Sequence, residues 1–403
     1  MILLFWPGAV LASRWTGGML AVTHCLVLGF FASIMIGAVQ QMLPVLAGAV
    51  IPRPRLIAGI IWCQWVPAVL CLVAAFLYPR SWLFLGAAIL ASGALLAFLS
   101  AVIVAVAASD SRSDSVPGIH LAVFSLLVTL VLGILLAAGS TGFLPLWRPM
   151  ITDLHLSWGL VGWIAVLVMS IAWQVVPLFQ ITEPYPLWFR RSLVPVVFLL
   201  LCGKSLLVLT GNGDTPAQSF TDLLLALVLL CFALLTLRLQ LHTRRRVRDN
   251  HRDFWRLGML HLIAVCLCWV AAEITVNPLL DLLTAALFLL GFAMAVVTGM
   301  LLKIISFLIW LHLSEASNAL VMSGKAGFQV PKMKSVISNR SGDSLLMLLI
   351  LGQVLLVLAI VHPALFRVPA AISWLVYFLL LGGVLVRAFT RYGKIADLAR
   401  DPA

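Results

Sequence analysis

Eight histidines are spread along the chain, and three of them sit at the ends of long apolar segments: His24, His155 and His362. An ionisable side chain in such a segment is costly unless it faces a partner or a cavity. Neutral imidazole is a ligand for haem iron, copper or zinc. His24 lies about six residues into its segment, roughly 9 Å along a helix. His155 falls in the first turn of its segment, just after Asp153, which reads as an N-cap. His362 closes a segment immediately before Pro363. Each has two readings, a metal ligand or an interfacial imidazole bonded to a backbone carbonyl. His120, His261 and His312 fall toward the opposite ends of their segments, and His242 and His251 belong to a basic loop, so none of these can meet His24. The seven cysteines all lie in apolar segments, and an odd count gives no disulfide framework. Cys266 and Cys268 point about 200° apart on a helix, so they do not chelate one ion together.

The elements that must carry these residues follow from composition. Of 403 residues, 63% are hydrophobic and 10% charged, against about a quarter charged in a soluble domain. A soluble globular protein, a disordered chain and a secreted disulfide scaffold are excluded. The apolar runs are unbroken rather than alternating, which excludes a β-barrel. Eleven segments are long enough to cross a bilayer: about 19–50, 56–77, 82–108, 119–138, 155–179, 192–210, 220–237, 257–273, 281–309, 344–362 and 371–386. The run 1–12 is too short to cross alone and reads as the end of a truncated first helix. The expected fold is an all-α polytopic membrane protein of about twelve transmembrane helices, forming one domain over 1–403.

The net charge is +12. If the segment bearing His24 runs from outside to inside, inner loops and ends hold 20 of the 26 Lys and Arg residues and outer loops hold 4. That bias places the C-terminus in the cytoplasm of a bacterial-type inner membrane. The basic run 244–256 then meets anionic lipid, not nucleic acid. The loop 310–343 is polar and cytoplasmic, with room for a short interfacial helix. Most tryptophans fall near segment ends, as interfacial belts do.

Three segments share one pattern. The first has Gly29, Gly37, Gln41 and Pro44; the second Gly162, Ser170, Gln174 and Pro177; the third Gly291, Gly299, Lys303 and Ser306. The offsets from the first Gly are 8, 12 and 15 in every copy, and the copies are 133 and 129 residues apart. These positions share a helical stripe. Small residues there let helices approach closely, and the polar residue should face the bundle interior. Gln41 and Gln174 read as interhelical hydrogen-bonding groups. Lys303 reads as a cation snorkelling to the cytoplasmic interface, or else as one paired with an anionic group. With the truncated helix counted, the marked helices are second, sixth and tenth of twelve. The chain then divides into three four-helix sets, approximately 1–108, 109–240 and 241–403.

That arrangement resembles subunit I of the haem–copper oxidases and the related nitric-oxide reductases, whose second, sixth and tenth helices carry metal-ligand histidines toward the outer side. The stretch from Thr23 and His24 through Gly29 and Phe30 to Gln41, Met42, Pro44 and Gly48 is also similar to NnrS-type haem and copper membrane proteins. The resemblance implies a haem, or a haem and copper, held by His24 and His155 near the outer face, with a membrane or periplasmic redox partner. Its departures imply that the chain is not a competent terminal oxidase. Residues 191–211 hold no His pair, residues 281–310 hold no His, and His155 is followed by Leu156 and Ser157. The implied role is respiratory redox chemistry, nitric-oxide response or metal handling. Two other classes stay open: a transporter or permease for a small solute, and a non-catalytic assembly factor. No phosphate-cradling glycine loop with its lysine and no HExxH motif occurs, so an ATP-driven pump is not indicated.

Overall fold

A computed structural model describes residues 10–400 apart from 109–113, 143–147, 214, 245–247, 276 and 326. Among the described residues, eleven helices are long and apolar enough to span a membrane. They are α1 (Gly17–Val45), α2 (Pro54–Leu77), α3 (Ser81–Ala107), α4 (Ser115–Ser140), α5 (Pro149–Gln180), α6 (Leu187–Leu209), α7 (Pro216–Leu241), α8 (Asn250–Ile274), α9 (Pro278–Met322), α10 (Asn339–Val361) and α11 (Pro363–Ala396). The chain is an all-α, multi-pass membrane protein with no strand among the described residues. Residues 1–9, where the truncated first helix was expected, lie outside the described residues, as do Arg112, Trp6, Trp147 and part of the basic run. Val10–Ala12 forms a single 3-10 turn.

The ends of the helices follow local chemistry. Thr16 caps α1 by accepting from the Met19 backbone N–H at 3.2 Å, and Pro54, Pro216 and Pro278 stand in first turns, where the missing N–H costs nothing. Gly48 closes the first pass at φ 58. The antiparallel neighbours α8–α9, α4–α5, α2–α3 and α10–α11 pack most extensively. Between distant segments, α9 touches both α1 and α11, and α1 reaches α4.

The three helices bearing the repeated pattern share a feature that no residue pattern foretold. Each changes from α to π geometry for a short stretch: Cys25–Ala32 in α1, Ser157–Ala165 in α5 and Leu287–Ala293 in α9. Gly29, Gly162 and Gly291 each fall inside one of these stretches. A π turn frees a carbonyl from the regular ladder, and neighbours satisfy what it frees. The Leu28 carbonyl accepts from the Ser33 hydroxyl at 3.0 Å and the Trp65 indole at 3.1 Å. Beside the third stretch, the Ala286 carbonyl accepts from the Gln353 amide at 3.2 Å.

Burial separates the three. The apolar windows of α5 and α9 are 78% and 67% buried, that of α1 only 28%. Gly162 and Gly291 are buried, whereas Gly29 is exposed, and Gln41 is exposed rather than facing the interior. Gln174 is partly buried. Two more expectations change. The apolar segment expected over 281–309 does not end near 309, because α9 runs for 45 residues to Met322, about 68 Å at helical rise. The following loop is correspondingly shorter and holds the short helix Met333–Val336.

Candidate metal site and its buried ion pairs

His24 is the last α-helical residue before the first π stretch, and His155 stands two residues before the second. Placement just before a π stretch in both α1 and α5 brings the two imidazoles together. Their ring centres are 6.2 Å apart and their planes 23° from parallel. Each ring is anchored through Nδ1. His24 Nδ1 donates to the Leu20 carbonyl at 2.8 Å, and His155 Nδ1 donates to the Thr129 carbonyl on α4 at 3.0 Å. A carbonyl can only accept, so Nδ1 carries the proton and the neutral ring presents Nε2 as a bare lone pair. Neither Nε2 has a protein hydrogen-bond partner among the described residues. This backbone anchoring of the far nitrogen is how metal-binding histidines are usually oriented.

The walls are tight. Phe76, in the last turn of α2, stands 4.7 Å from the His24 ring centre. Gly17 lets α1 reach that turn, since a Cβ there would lie 2.4 Å from the Phe76 carbonyl oxygen. On the other side a Cβ at Gly133 would lie 3.1 Å from His155 Cε1, so the imidazole rests against the α4 backbone. A metal–nitrogen bond of about 2.0 Å, plus roughly 1 Å from nitrogen to ring centre on each side, puts two opposed ligating rings about 6 Å apart. The observed ring-centre spacing is of that order. Two neutral imidazoles are suitable ligands for copper or for haem iron.

Above the pair, Arg14 lies between two carboxylates, 3.5 Å from Asp153 and 3.9 Å from Asp281. It thus ties the ends of α1, α5 and α9 together. Asp153 is not the N-cap expected of it: the helix already begins at Arg148, and the carboxylate serves the ion pair. His362 does not join the site. It is exposed in the turn between α10 and α11, and no three His, Cys, Asp or Glu side chains converge among the described residues. All seven cysteines are free.

Lys303 is not a snorkelling cation. It is 8% exposed and pairs with Asp249, the N-cap of α8, at 3.1 Å. It lines a cavity of about 60 Å³ with Asp249, His251, Ser306, Lys334 and Asn339. Lys204, whose partner the sequence did not identify, pairs with Asp222 at 2.5 Å within the α6–α7 hairpin. An acid inside an apolar segment was the available signal for Asp222. Arg14, Phe76, Thr129 and Gly133 gave no such signal, because only the fold brings them to the imidazoles. The remaining stripe glycines divide. A Cβ at Gly162 would meet Ser125 at 2.8 Å, and at Gly299 Phe254 at 2.7 Å, whereas Gly37 has nothing within 4 Å. Pro44 and Pro177 both lie inside their helices, one turn beyond Gln41 and Gln174. No protein-family model matches this sequence, and no curated protein is similar to it.

Proposed function

We propose that this membrane protein holds one copper ion between His24 and His155, with a role in metal handling or one-electron chemistry at the outer membrane face. The observation that carries this reading is the facing pair of backbone-anchored imidazoles, 6.2 Å apart, donated by two helices. His24 and His155 would each supply a neutral Nε2. Their Nδ1 anchors fix the tautomer, so binding needs no proton release from the rings. Phe76 and the α4 backbone exclude water from the flanks. Arg14 with Asp153 holds the outer ends of α1 and α5 in register above the site. A bound copper ion would supply single-electron transfer, or would itself be cargo.

The charge bias supports an outer location for the imidazoles and a cytoplasmic C-terminus. A redox partner would then meet the site from the periplasm or within the membrane. A haem iron is the other guest that two neutral imidazoles suit, and a Soret band would distinguish it from copper.

The test is the metal content and absorption spectrum of the full-length chain, purified in detergent from cells supplied with copper and haem. One copper per chain is expected, without a Soret band, and both His24→Ala and His155→Ala should lose it. A metal-free, colourless preparation would overturn the proposal, as would copper that survives both substitutions. A Soret band abolished by His24→Ala would replace copper with haem.

A further inference from the structure

The end of the bundle that the charge bias assigns to the cytoplasm carries two half-buried cations that no described carboxylate neutralises. We infer that Arg252 and Arg256 form a discrete site for one net-negative phosphate group, supplied by the headgroup of an anionic lipid.

Three observations carry it. The first is unbalanced charge. The two guanidiniums sit four residues apart on α8, so they share a face and repel each other. The described carboxylates at this end are engaged by other cations: Asp249 by Lys303 at 3.1 Å, Asp253 and Asp343 by Arg248 at 3.0 Å each, and Glu183 by Arg244 at 3.5 Å. The second is unused donors. The Nε of each arginine is shielded from solvent and has no hydrogen-bond partner among the described residues. Arg256 commits one Nη to the Gln240 carbonyl, in the last turn of α7, at 2.7 Å. Gln240 in turn donates its side-chain amide to Gln180 at 3.0 Å, and both side chains are fully buried. That pair still leaves the Gln180 nitrogen and the Gln240 oxygen without partners. A guanidinium presents its N–H groups in a fork that matches phosphate oxygens, and a headgroup hydroxyl or a water can meet the amide pair. The third is depth. Arg252 and Arg256 are the third and seventh residues of α8, so Arg256 lies roughly 9 Å along the axis from its start. The polar layer on each side of a bilayer is about 5–7 Å thick. A phosphate bridging the two arginines stands at headgroup level, where lipid phosphate is concentrated. Arg244 and Arg248 differ, since their side chains are 78% and 63% exposed and supply only diffuse attraction to the surface.

The experiment places the full-length chain in nanodiscs of phosphatidylcholine, whose choline cancels the phosphate charge, or of phosphatidylcholine with phosphatidylglycerol. Native mass spectrometry counts the lipid that stays bound, and one phosphatidylglycerol per chain is expected. Arg252→Gln should weaken its retention by about 10-fold or more. Arg244→Gln, which removes an exposed charge, should change it by less than about 3-fold. The shift in melting temperature between the two lipid compositions is a second readout, and Arg252→Gln should abolish that shift even if the variant is less stable in both. Inorganic phosphate added to the phosphatidylcholine discs is the third arm. Arg252-dependent protection by phosphate, with no preference for phosphatidylglycerol, would keep the phosphate site and overturn its lipid source. Phosphatidylglycerol held equally by the wild type and Arg252→Gln would reduce the pair to a diffuse basic surface and overturn the proposal. So would a protein indifferent to both phosphatidylglycerol and phosphate.

Discussion

At Gly291 the His261 imidazole lies so close that an added Cβ would sit 2.4 Å from its Cδ2. His261 cannot easily retreat, since its Nδ1 donates to the Leu257 carbonyl at 2.8 Å. Gly291→Ala should therefore destabilise the protein by about 1–3 kcal/mol through overpacking. Gly37→Ala, with open space at its Cβ, should be neutral or slightly stabilising, within about 1 kcal/mol. Thermal unfolding in detergent, followed by intrinsic tryptophan fluorescence, separates the two. Both glycines occupy the same repeated stripe, so spacing marked them equally. What distinguishes them is the neighbour across the interface, which no single-chain pattern contains. The same limit applies at the metal site. His24 and His155 were legible because an imidazole in an apolar run needs a reason to be there. His362 met that criterion too, yet it sits in an exposed turn. Lys303 shows the reverse error. Its position near a helix end suggested snorkelling, but Asp249 arrives from α8 to bury it. Lys303→Met should cost about 1–3 kcal/mol, because it removes one partner of the largely buried Asp249 carboxylate. The double variant with Asp249→Asn should recover most of that loss, which denaturant titration would read.

Among the elements, the π stretches explain why the helical wheel misplaced some of its residues. The stripe assumed 3.6 residues per turn, whereas a π turn follows i→i+5 bonding and shifts the phase of everything beyond it. Gln41 was expected inside and is exposed, on the far side of Cys25–Ala32 from His24. The shallow burial of α1 adds to this, because a helix only 28% buried offers few interior positions. Helix existence was legible throughout, since unbroken apolar length decides it. Helix ends were less so. The α9 segment beyond Trp310 alternates polar and apolar residues, and it stays helical because Ile309 and Leu313 pack on Val336 and Ala388. The freed Leu28 carbonyl gives a direct test. Trp65→Phe removes the indole donor, leaving only the Ser33 hydroxyl. A loss of about 1 kcal/mol is expected, and amide exchange in the 25–32 stretch should rise relative to α5.

For the whole molecule, the all-helical, multi-pass character was visible in the sequence, because membrane insertion writes long apolar runs into composition. The chain ends need no inference from the fold for their sidedness to be tested. A C-terminal fluorescent reporter should mature in the cytoplasm, and a C-terminal alkaline phosphatase should be inactive. The opposite pattern would invert the bundle and put His24 inside. The outer ion triad should contribute little to stability, because Arg14, Asp153 and Asp281 are 36–48% exposed, and such pairs are worth about 0–1 kcal/mol. Arg14→Ala should leave the melting temperature nearly unchanged while loosening metal retention.

The three π stretches carry one more consequence, for how this chain can change length. Each holds a surplus residue that the helices on either side do not need for their own hydrogen bonding. Shortening Ser157–Ala165 by one residue can return that turn to ordinary α geometry without rotating the flanks, whereas the same deletion in the regular α4 would swing every later side chain by about 100°. Indels in this protein should thus be tolerated first at those three places, so that the bundle's points of irregularity are also its points of evolutionary slack.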